Sequence, residues 1–321
     1  MGNSKRKIDV LCVGLAVVNF PVLPVDESVF SRDLTRVEAI TLLPGGDAAN
    51  QAIILSRLGV TTALCCRRGN DSFGDILLKL LETFGNDLDL SCVTVDSQAA
   101  TGVCAMLIRP DGHRHFCSHR GANRTLSVEH VDVAKIAEAK IFSYTGLCSM
   151  PQIDTQVGEL LKIANEAGTI TVVDTKVDRA GLDIPKIMTQ MKYIDYFFPS
   201  YDEAKILSGE VMPEKMADVF LTAGAKNVGI KLGGDGCYFV GGGVRFSLPA
   251  MPVNVVDTTG AGDSFMAGFI SGILRNFDPY ECCQLGTAAG AVCVGEVGPC
   301  GAIKNLEQIN GYIKKYNIQG E

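Results

Sequence analysis

The sequence predicts an α/β fold with a mostly parallel central sheet, helices on both faces of that sheet, and a small β-sheet lid. Short apolar runs alternate with amphipathic helical patterns along most of the chain, which is typical of a parallel sheet covered by helices. Two β-rich stretches interrupt this alternation near its start. A chain of 321 residues, 47% hydrophobic and 20% charged, has the composition of a globular protein with a sizeable core.

The apolar runs are short and bounded by turn residues, which predicts buried strands. The predicted strands are Val10–Gly14, Thr62–Arg67, Ile141–Thr145, Ile170–Asp174, Tyr196–Pro199 and Asn227–Leu232. Helical patterns of apolar residues lie between them, at Ala48–Leu58, Phe73–Phe84, Gln152–Ala167, Tyr201–Ser208 and Glu214–Ala223. Toward the C-terminus we expect a hairpin, Cys237–Val240 with Val244–Leu248, and then helices near Gly262–Arg275, Pro279–Val294 and Leu306–Lys315.

Two stretches leave the central sheet and predict the lid. Val17–Leu43 has no helical pattern, and Thr94–Ser118 contains two alternating strands, Gly102–Arg109 and Arg114–Cys117. The tripeptide that joins them, Pro110-Asp111-Gly112, is strong turn chemistry. We expect one domain over residues 1–321, with lid insertions at about 17–43 and 94–120. Because lid edges are exposed strands, pairing of two lids in a homodimer is expected.

Composition excludes several classes of partner. The net charge of −7 leaves no basic surplus for nucleic acid or an anionic membrane. The sequence has no signal peptide and no stretch approaching the ~18 consecutive apolar residues of a membrane helix, so we expect a cytoplasmic protein. The twelve cysteines include no Cys-x-x-Cys pair with metal spacing, and reduced, buried thiols are the expectation.

A glycine-rich segment late in the chain has the composition of an anion site. Asp257-Thr258-Thr259-Gly260-Ala261-Gly262-Asp263 lies between an apolar run and a helical pattern. Uncovered backbone N–H groups at the start of a helix bind anions. With Asp263 beside them, the amides are suited to hold a phosphoryl group while the carboxylate takes a proton from an attacking hydroxyl. The structural alternative is an ordinary glycine turn with Asp as a helix cap.

A second glycine cluster, Gly45-Gly46-Asp47-Ala48-Ala49-Asn50, opens the first predicted helix. Adjacent glycines let a polar ligand approach the backbone. Asn50, about one turn into the helix, offers a donor and an acceptor to hydroxyl groups. Alone, the cluster is equally compatible with a helix N-terminus and an ordinary Asn cap.

Together these motifs resemble the two signatures of the ribokinase-like (PfkB) carbohydrate kinase family. Pro44 to Gly69 is similar to the first signature and Asp257 to Asp263 to the second, with matching spacing and element order along nearly the whole chain. Gly69-Asn70-Asp71-Ser72-Phe73-Gly74 and Arg120-Gly121-Ala122-Asn123 resemble further family segments. The resemblance implies a ribokinase-like three-layer sandwich and ATP-dependent phosphorylation of a hydroxyl on a sugar or nucleoside, and we expect a primary hydroxyl of a sugar. No Gly-x-x-x-x-Gly-Lys-Ser/Thr sequence is present, which excludes a P-loop.

The resemblance also implies roles for individual residues. Asp263 matches the catalytic base, and Gly260 to Gly262 match the anion hole. Gly46 and Asn50 match sugar-binding positions, with Gly45 beside them. The physical argument agrees, since an alcohol of high pKa needs a base within hydrogen-bond reach and the transferring phosphoryl group needs preorganised donors.

Two residues depart from the family pattern on the acceptor side. Asn19 falls where many members place an Asp that holds two sugar hydroxyls, and Asp47 falls where ribokinases usually carry Lys. Asn19 still bonds hydroxyls without a charge, and its alternative role is that of a turn residue before Pro21. These departures leave the identity of the sugar open.

On the nucleotide side, Lys231-Leu232-Gly233-Gly234-Asp235-Gly236 matches the loop along the phosphates and ribose, and Thr287 falls where the family has an Asn near the adenine. The loop is also an ordinary glycine turn between strands. Ser200-Tyr201-Asp202-Glu203 corresponds to the family's Asn-x-x-Glu motif, with Ser in place of Asn. Glu203 implies Mg²⁺ binding through water, whereas the alternative is an exposed first-turn acid favoured by the helix dipole.

Several family members bind a monovalent cation beside the anion hole. Asp257 and Thr259 occupy those positions and Gly298 matches a nearby carbonyl donor, so the resemblance implies a potassium site. His113 and His115 alternate on a lid strand around Arg114. Metal binding there would need further ligands, so exposed lid residues are expected.

Three other functions compete with a sugar kinase. A nucleoside kinase of the same family, acting on adenosine, inosine or pseudouridine, needs an aromatic surface to stack the base, and Phe20 and Phe30 are available. A dinucleotide-binding oxidoreductase is disfavoured because the first strand leads into Gly14-Leu15-Ala16 without Gly-x-Gly-x-x-Gly. A non-catalytic sugar-binding regulator is disfavoured by the intact Asp263.

Overall fold

The structure is a computed structural model that describes residues 8–111, 113–177 and 183–316. Its strands are β1 (Ile8–Val13), β2 (Val17–Leu23), β3 (Ala39–Ile40), β4 (Leu43–Gly45), β5 (Thr62–Cys65), β6 (Arg67–Gly69), β7 (Thr94–Asp96), β8 (Val103–Ile108), β9 (Arg114–His119), β10 (Ala139–Leu147), β11 (Ile170–Thr175), β12 (Tyr196–Phe198), β13 (Asn227–Lys231), β14 (Cys237–Gly241) and β15 (Val244–Leu248). Its α-helices are α1 (Asp47–Arg57), α2 (Ser72–Phe84), α3 (Val133–Glu138), α4 (Pro151–Asp154), α5 (Val157–Glu166), α6 (Ile184–Gln190), α7 (Tyr201–Ser208), α8 (Pro213–Thr222), α9 (Ala261–Leu274), α10 (Pro279–Val294) and α11 (Leu306–Tyr316).

Eight strands form the central sheet, in the order β15-β14-β13-β12-β11-β10-β1-β5. Neighbours from β5 to β13 are parallel, and the hairpin of β14 and β15 is antiparallel at one edge. This confirms the predicted mostly parallel α/β fold. The chain moves from β1 to β5 on one side and to β10 on the other, and ligands usually bind outside the carboxyl ends of strands at such a switch point.

Alternate residues of the central strands face two separate cores. Val10 and Cys12 belong to one buried cluster, together with residues of α1, α2, α9, α10 and α11. Leu11 and Val13 belong to a second cluster, which contains residues of α3 to α8. Because successive side chains of a strand point to opposite faces, a layer of helices covers each face, and the three-layer sandwich is confirmed.

The lid is a second sheet of five strands, β2, β3, β4, β8 and β9. β2 pairs with β3 and β4 in antiparallel fashion and with β8 in parallel, while β9 pairs with β8 in an antiparallel hairpin. Val17, Cys104, Met106 and Ile108 form its small core. The predicted lid is therefore present, but Thr94–Asp96 is not part of it, because this strand pairs with β6 in a separate two-stranded sheet. Gly112 of the predicted turn lies outside the described residues.

The predicted helix Gln152–Ala167 is wrong as a single element, because α4 ends at Asp154 and α5 begins at Val157. The buried Asp154 carboxylate accepts hydrogen bonds from the Tyr144 hydroxyl (2.6 Å) and the Met150 N–H (2.6 Å). Its backbone carbonyl accepts one from Gln190 Nε2 (3.1 Å). Tertiary partners thus hold the polar groups of Asp154 where the two helices separate.

Several short helices of the described residues lie outside the predicted set, among them α3, α6 and a 3₁₀ helix at Glu27–Phe30. Elements this short do not complete enough turns for a helical period to be read from the sequence. The helices α3 and α6 nevertheless have N-caps that can be read from the sequence. Asp132 accepts from the Ala134 N–H (2.9 Å), and Asp183 accepts from the Lys186 N–H (3.1 Å). An Asp directly before a short apolar pattern was the available signal.

The twelve cysteines are free thiols, and all except Cys117 are buried. Burial raises the pKa of the Cys66 thiol to about 12, so this thiol stays protonated and unreactive at neutral pH. Among the residues that the structure describes, no helix combines the length and the apolar character that crossing a membrane requires.

Candidate active site

The N-terminus of α9 presents an anion cradle to a cavity. Gly260 caps the helix with φ of +76°, a left-handed conformation that favours glycine, and a Cβ at this position would collide with the Pro299 carbonyl oxygen. The first N–H groups of a helix have no carbonyl partner within it. Ala261 makes only a long bond, 3.3 Å, to the Thr258 carbonyl. Ala261 and Gly262 line the cavity, so donors and the positive end of the helix face a ligand there.

Asp263, the predicted base, lies in the first turn of α9 and is only 9% exposed. Its Oδ2 accepts a hydrogen bond from Asn50 Nδ2 at 2.7 Å. Burial raises the pKa of Asp263 to about 7, the charge of Asp47 adds to this effect, and Lys176 and Asn50 oppose it. A carboxylate whose pKa lies near neutral pH is suited to accept a proton from a hydroxyl.

The predicted acceptor residues Asn19, Gly45, Gly46 and Asn50 come together at the N-terminus of α1, and Asn50 connects them to Asp263. Gly46 caps α1 with φ of +93°, and Asn50 follows one turn into that helix, where its Oδ1 is buried and has no hydrogen-bond partner among the described residues. The buried Asn19 lies on β2, where its amide packs against the backbone of Gly45. The lid strands β2 and β4 thus bring the two glycines and Asn19 to the N-terminus of α1.

An ion pair that the sequence does not predict stands beside the base. Lys176, directly after β11, donates from Nζ to Asp47 Oδ1 at 2.9 Å. Asp47 raises the pKa of Lys176 against the opposing effect of burial. The second oxygen of Asp47, Oδ2, is buried and has no partner in the part of the chain that the structure describes. An acceptor atom therefore remains free at the position where the family pattern has Lys.

Four of the predicted nucleotide residues line one cavity of about 460 Å³, whereas Ser200 and Glu203 are not among its lining residues. The lining includes Lys231, Gly233, Gly236 and Thr287, and the cavity extends to the anion cradle through Thr258, Ala261 and Gly262. Much of the remaining surface is apolar, with Met251, Val253, Val255, Phe265 and Val294 among its lining residues. Thr287 Oγ1 is buried and has no partner within the described ranges. An apolar slot with a few orienting polar groups and this volume fits a small ligand such as a nucleotide.

The sequence predicts Lys231 as part of the loop along the phosphates and ribose. In the structure its side chain also reaches the anion cradle. Its Nζ donates to Asp174 Oδ1 at 2.5 Å and lies 3.4 Å from the position that a Cβ of Gly262 would occupy. Burial acts to lower the pKa of Lys231, but the charges of Asp174 and Glu203 raise it overall. Burial raises the pKa of Asp174 to about 6, against the charge of Lys231. A charged ammonium group thus faces the cradle.

Ser200 and Glu203 form a reciprocal capping box at the start of α7. Glu203 Oε2 accepts from the Ser200 N–H (2.9 Å) and from Thr175 Oγ1 (2.7 Å). Glu203 is thus a half-buried capping residue and not the exposed first-turn acid that was its alternative, and the magnesium role stays a prediction. In the described part of the chain, no group of three or more His, Cys, Asp or Glu residues is arranged to hold a metal ion.

Asp257, Thr259 and Gly298 come together, as the sequence predicts. Asp257 Oδ1 accepts from the Thr259 N–H (2.9 Å) and hydroxyl (2.7 Å), and Oδ2 accepts from the Gly298 N–H (2.9 Å). Gly298 contacts Asp257 through its N–H. The predicted role of its carbonyl oxygen as a ligand of a cation stays a prediction. The lid residue Arg114 also donates to Asp257 Oδ1 and to Thr258 Oγ1.

This two-sided arrangement agrees with the comparison to known proteins, in which residues 7–305 match the pfkB family carbohydrate kinase. The chain belongs to the pfkB family. It is 29% identical to the ribokinase of Staphylococcus aureus over 85% of this chain and 89% of that protein. It is 30% identical to the 2-dehydro-3-deoxygluconokinase of Bacillus subtilis over 84% of this chain and 86% of that one. The solved structure of a putative ribokinase II from E. coli in complex with ATP and Mg²⁺ superposes with a TM-score of 0.82 at 26% identity, covering 96% of this chain and 99% of that one. The protein is a sugar kinase of an ATP-binding family.

Two charged residues of this pfkB kinase, Asp174 and Lys176, were missed by sequence reasoning. They stand at the carboxyl end of β11, before and after its last residue. Because ligands in open parallel sheets bind beyond the carboxyl ends of strands, charged residues at the end of a predicted buried strand were the available signal. Arg114, in contrast, enters the sequence analysis only as the residue between His113 and His115 on a lid strand.

Proposed function

We propose that the protein transfers the γ-phosphoryl group of ATP to a primary hydroxyl of a neutral sugar, with Asp263 as general base. The observation that carries this proposal is the 2.7 Å hydrogen bond from Asn50 to Asp263. It joins the acceptor helix α1 to the helix whose N-terminus faces the nucleotide cavity. The base therefore stands between the two substrates, as in-line transfer of a phosphoryl group requires.

In this mechanism Asn19, Gly46 and Asn50 position the acceptor hydroxyl at Asp263. Asp263 takes the hydroxyl proton, and the N–H groups of Gly260 to Gly262 stabilise the charge of the transferring group. Lys231 adds a positive charge beside Gly262. The orphaned Thr287 hydroxyl and the apolar slot support binding of the ATP base and ribose in the cavity.

Glu203 is the residue that would hold magnesium, through water. Its carboxylate lies close enough to Lys231 to raise the pKa of that residue, and Lys231 itself lies against the anion cradle. When bound, magnesium would neutralise phosphate charge. Proton transfer to Asp263 does not depend on whether Glu203 holds magnesium.

The acceptor pocket favours a neutral substrate rich in hydroxyl groups. Asp47 Oδ2 and Asn50 Oδ1 are buried acceptors that no described residue pairs with, and a buried acceptor that stays unpaired is costly. Sugar hydroxyls would supply the missing donors. A carboxylate or phosphate on the substrate would instead face Asp47 and Asp263, and like charges in a buried site repel.

A nucleoside acceptor is the alternative, but the aromatic residues are poorly placed for it. Phe20 follows Asn19 on β2, so its side chain points to the opposite face of the strand. There it packs edge-to-face on Phe73, with ring centroids 5.5 Å apart. Phe30 is 87% exposed. A sugar is therefore preferred over a nucleoside as the acceptor.

The test is an ATP-coupled screen of wild type and Asp263→Asn against neutral pentoses and hexoses, carboxylated sugars, phosphosugars and nucleosides. We expect turnover with neutral sugars, and a fall of about 10²- to 10⁴-fold in the variant because the general base is lost. Binding of ATP, measured by calorimetry, should stay within a few-fold. The control is Asp33→Asn, which changes an exposed carboxylate. Retained turnover in Asp263→Asn would refute the assigned base, and a preference for carboxylated sugars would refute the neutral acceptor.

A further inference from the structure

Arg114 links the lid to the loop that precedes the anion cradle. It is the first residue of β9, and its guanidinium donates to Asp257 Oδ1 and Thr258 Oγ1. The Phe116 ring lies under the same guanidinium, 5.5 Å from its centroid. The side chains of Arg114 and Asp257 are only 18% and 5% exposed. Removing one partner of such a largely desolvated ion pair strongly destabilises the folded protein, because the other charge is left buried without compensation.

The residues that match a monovalent-cation site do not fit a potassium ion in this arrangement. A hard cation needs oxygen lone pairs directed at it. Here the oxygens of Asp257 already accept from the Arg114 guanidinium, from the Thr259 N–H and hydroxyl, and from the Gly298 N–H. A potassium ion at Asp257 would also stand beside the positive guanidinium of Arg114, and like charges repel.

We propose that Arg114 supplies, from the lid, the positive charge that compensates Asp257, so that this kinase does not require a monovalent cation. The inference rests on the proposed function, because it assumes that Gly260 to Gly262 form the anion hole. Arg114 is a positioning residue. It neutralises the carboxylate that also holds the Thr259 N–H, one residue before Gly260, and so fixes the loop from which the hole is built.

The same arrangement couples lid position to the state of the anion hole. Arg114 reaches Asp257 only while β9 lies over the loop. If the lid moves away, Asp257 becomes a buried carboxylate without a compensating cation, which is unfavourable. The charge of Asp257 is therefore balanced by Arg114 only while the lid covers the site and excludes water from it.

A second lid arginine provides a matched control. Arg109 directly follows β8, the other strand of the same hairpin, and pairs with Glu27 (2.8 Å) and Asp111 (3.2 Å). Its side chain is 47% exposed and the Glu27 side chain 76% exposed. Surface pairs of this kind contribute little to stability, and Arg109 contacts neither the loop nor the cavity residues described above. Replacing it removes a lid charge without touching Asp257.

The experiment compares wild type, Arg114→Gln and Arg109→Gln with and without about 100 mM KCl, with choline chloride keeping the ionic strength constant because salt alone screens charges. Turnover on the sugar found in the screen is measured together with the melting temperature of the ligand-free protein. Wild type and Arg109→Gln should show the same turnover and melting temperature in both salts. Arg114→Gln should lose turnover by about tenfold or more without potassium, since Asp257 is left uncompensated, and potassium should restore part of it and raise the melting temperature.

Three results would overturn the proposal: a wild type that needs potassium for turnover, a potassium-specific rise in its melting temperature, or an Arg114→Gln variant with full turnover in choline chloride. A variant whose only defect is a raised KM for ATP would also overturn it, by assigning Arg114 to phosphate binding. If Arg114→Gln does not fold, the wild-type comparison still decides the question. A wild type without turnover on any acceptor would contradict the proposed function, whereas the melting temperatures of the ligand-free protein would still decide whether potassium binds.

Discussion

Several opposing effects of its surroundings act on the Asp263 carboxylate. Burial and the nearby Asp47 favour its protonated form, whereas Lys176 and the Asn50 amide favour its ionised form. The result is a base whose pKa of about 7 lies close to neutral pH. Asn50, which orients the acceptor in the proposed mechanism, therefore also contributes to the basicity of the group that deprotonates it.

A dependence of activity on pH follows from this environment. Below pH about 7, Asp263 is protonated and cannot accept a proton, so kcat/KM should fall on the acid side of that value. Asp47→Asn removes a charge that raises the pKa and leaves Lys176 unpaired, and both changes favour ionised Asp263. The midpoint of the acid limb should therefore move to lower pH, which a profile of kcat/KM against pH measures.

The matched control for this profile is Asp75→Asn, because Asp75 is exposed and pairs with Arg68 at 3.2 Å. Its acid limb should coincide with that of wild type. An unchanged midpoint in Asp47→Asn would show that Asp47 does not tune the base, and a midpoint near the ordinary Asp value in wild type would contradict the raised pKa of Asp263.

At the residue scale, the sequence points to a candidate site only where the chemistry is contained in one segment. Asp263, Gly260 and Asn50 were predicted because each stands in a glycine-rich motif at the start of a helix. Arg114 could not be assigned in the same way, because its partner Asp257 is 143 residues away. The register of the lid hairpin and its position over α9 decide that contact, and neither is visible in the local pattern.

The start of α9 is the element on which the proposed site depends most. The loop from Asp257 to Gly260 must turn sharply before the helix so that its first N–H groups face the cavity. Gly260 permits this turn through its positive φ, and it also lies directly against Pro299. A side chain at this position is therefore opposed by both the backbone conformation and the neighbouring loop.

Two glycine substitutions separate these effects. Gly260→Ala should destabilise the protein by the ~1–2 kcal/mol of a left-handed alanine plus about 1–3 kcal/mol for the collision with Pro299, and it should abolish most turnover by displacing the anion hole. Gly242→Ala, in the hairpin of β14 and β15, has φ of +59° and open space around its Cβ position. It should lose only the conformational part and keep wild-type turnover. Urea unfolding and kinetics measure both, and equal losses in the two variants would contradict the argument.

Element prediction failed where tertiary partners replace local hydrogen bonds. The strands and long helices of the sandwich could be predicted because their apolar residues recur with the period of a strand or a helix over several residues or turns. The separation of α4 from α5 instead depends on Tyr144 and Gln190, which bond Asp154 from a strand and a helix outside the segment. Residues 152–167 alone carry no signal of either partner.

At the scale of the whole molecule, the chain brings together groups from its first and last thirds. Asn50 on α1 and Asp263 on α9 are 213 residues apart and share a hydrogen bond. Both helices cover the same face of the central sheet, next to the lid strand that carries Asn19. The overall plan was predictable because the alternation of strands and helices specifies a parallel sheet. The relative placement of lid and sheet was not, since it depends on contacts such as those of Asn123 with the Ala16 backbone (3.0 and 2.9 Å).

The lid also leaves apolar surface in solvent, which favours the predicted homodimer. Phe30 and Ile40, in the first lid insertion, are 87% and 63% exposed, and β9 forms an edge of the lid sheet with mostly exposed side chains. Unpaired edges and apolar patches of this kind are usually covered in the native assembly.

We expect light scattering after size exclusion to give twice the chain mass of 34.2 kDa. Ile40→Glu should shift the protein to monomer, because it places a charge in the apolar interface, whereas Val211→Glu, a comparably exposed site at 58% outside the lid, should not. A monomeric wild type, or equal dissociation by both substitutions, would exclude pairing through the lid.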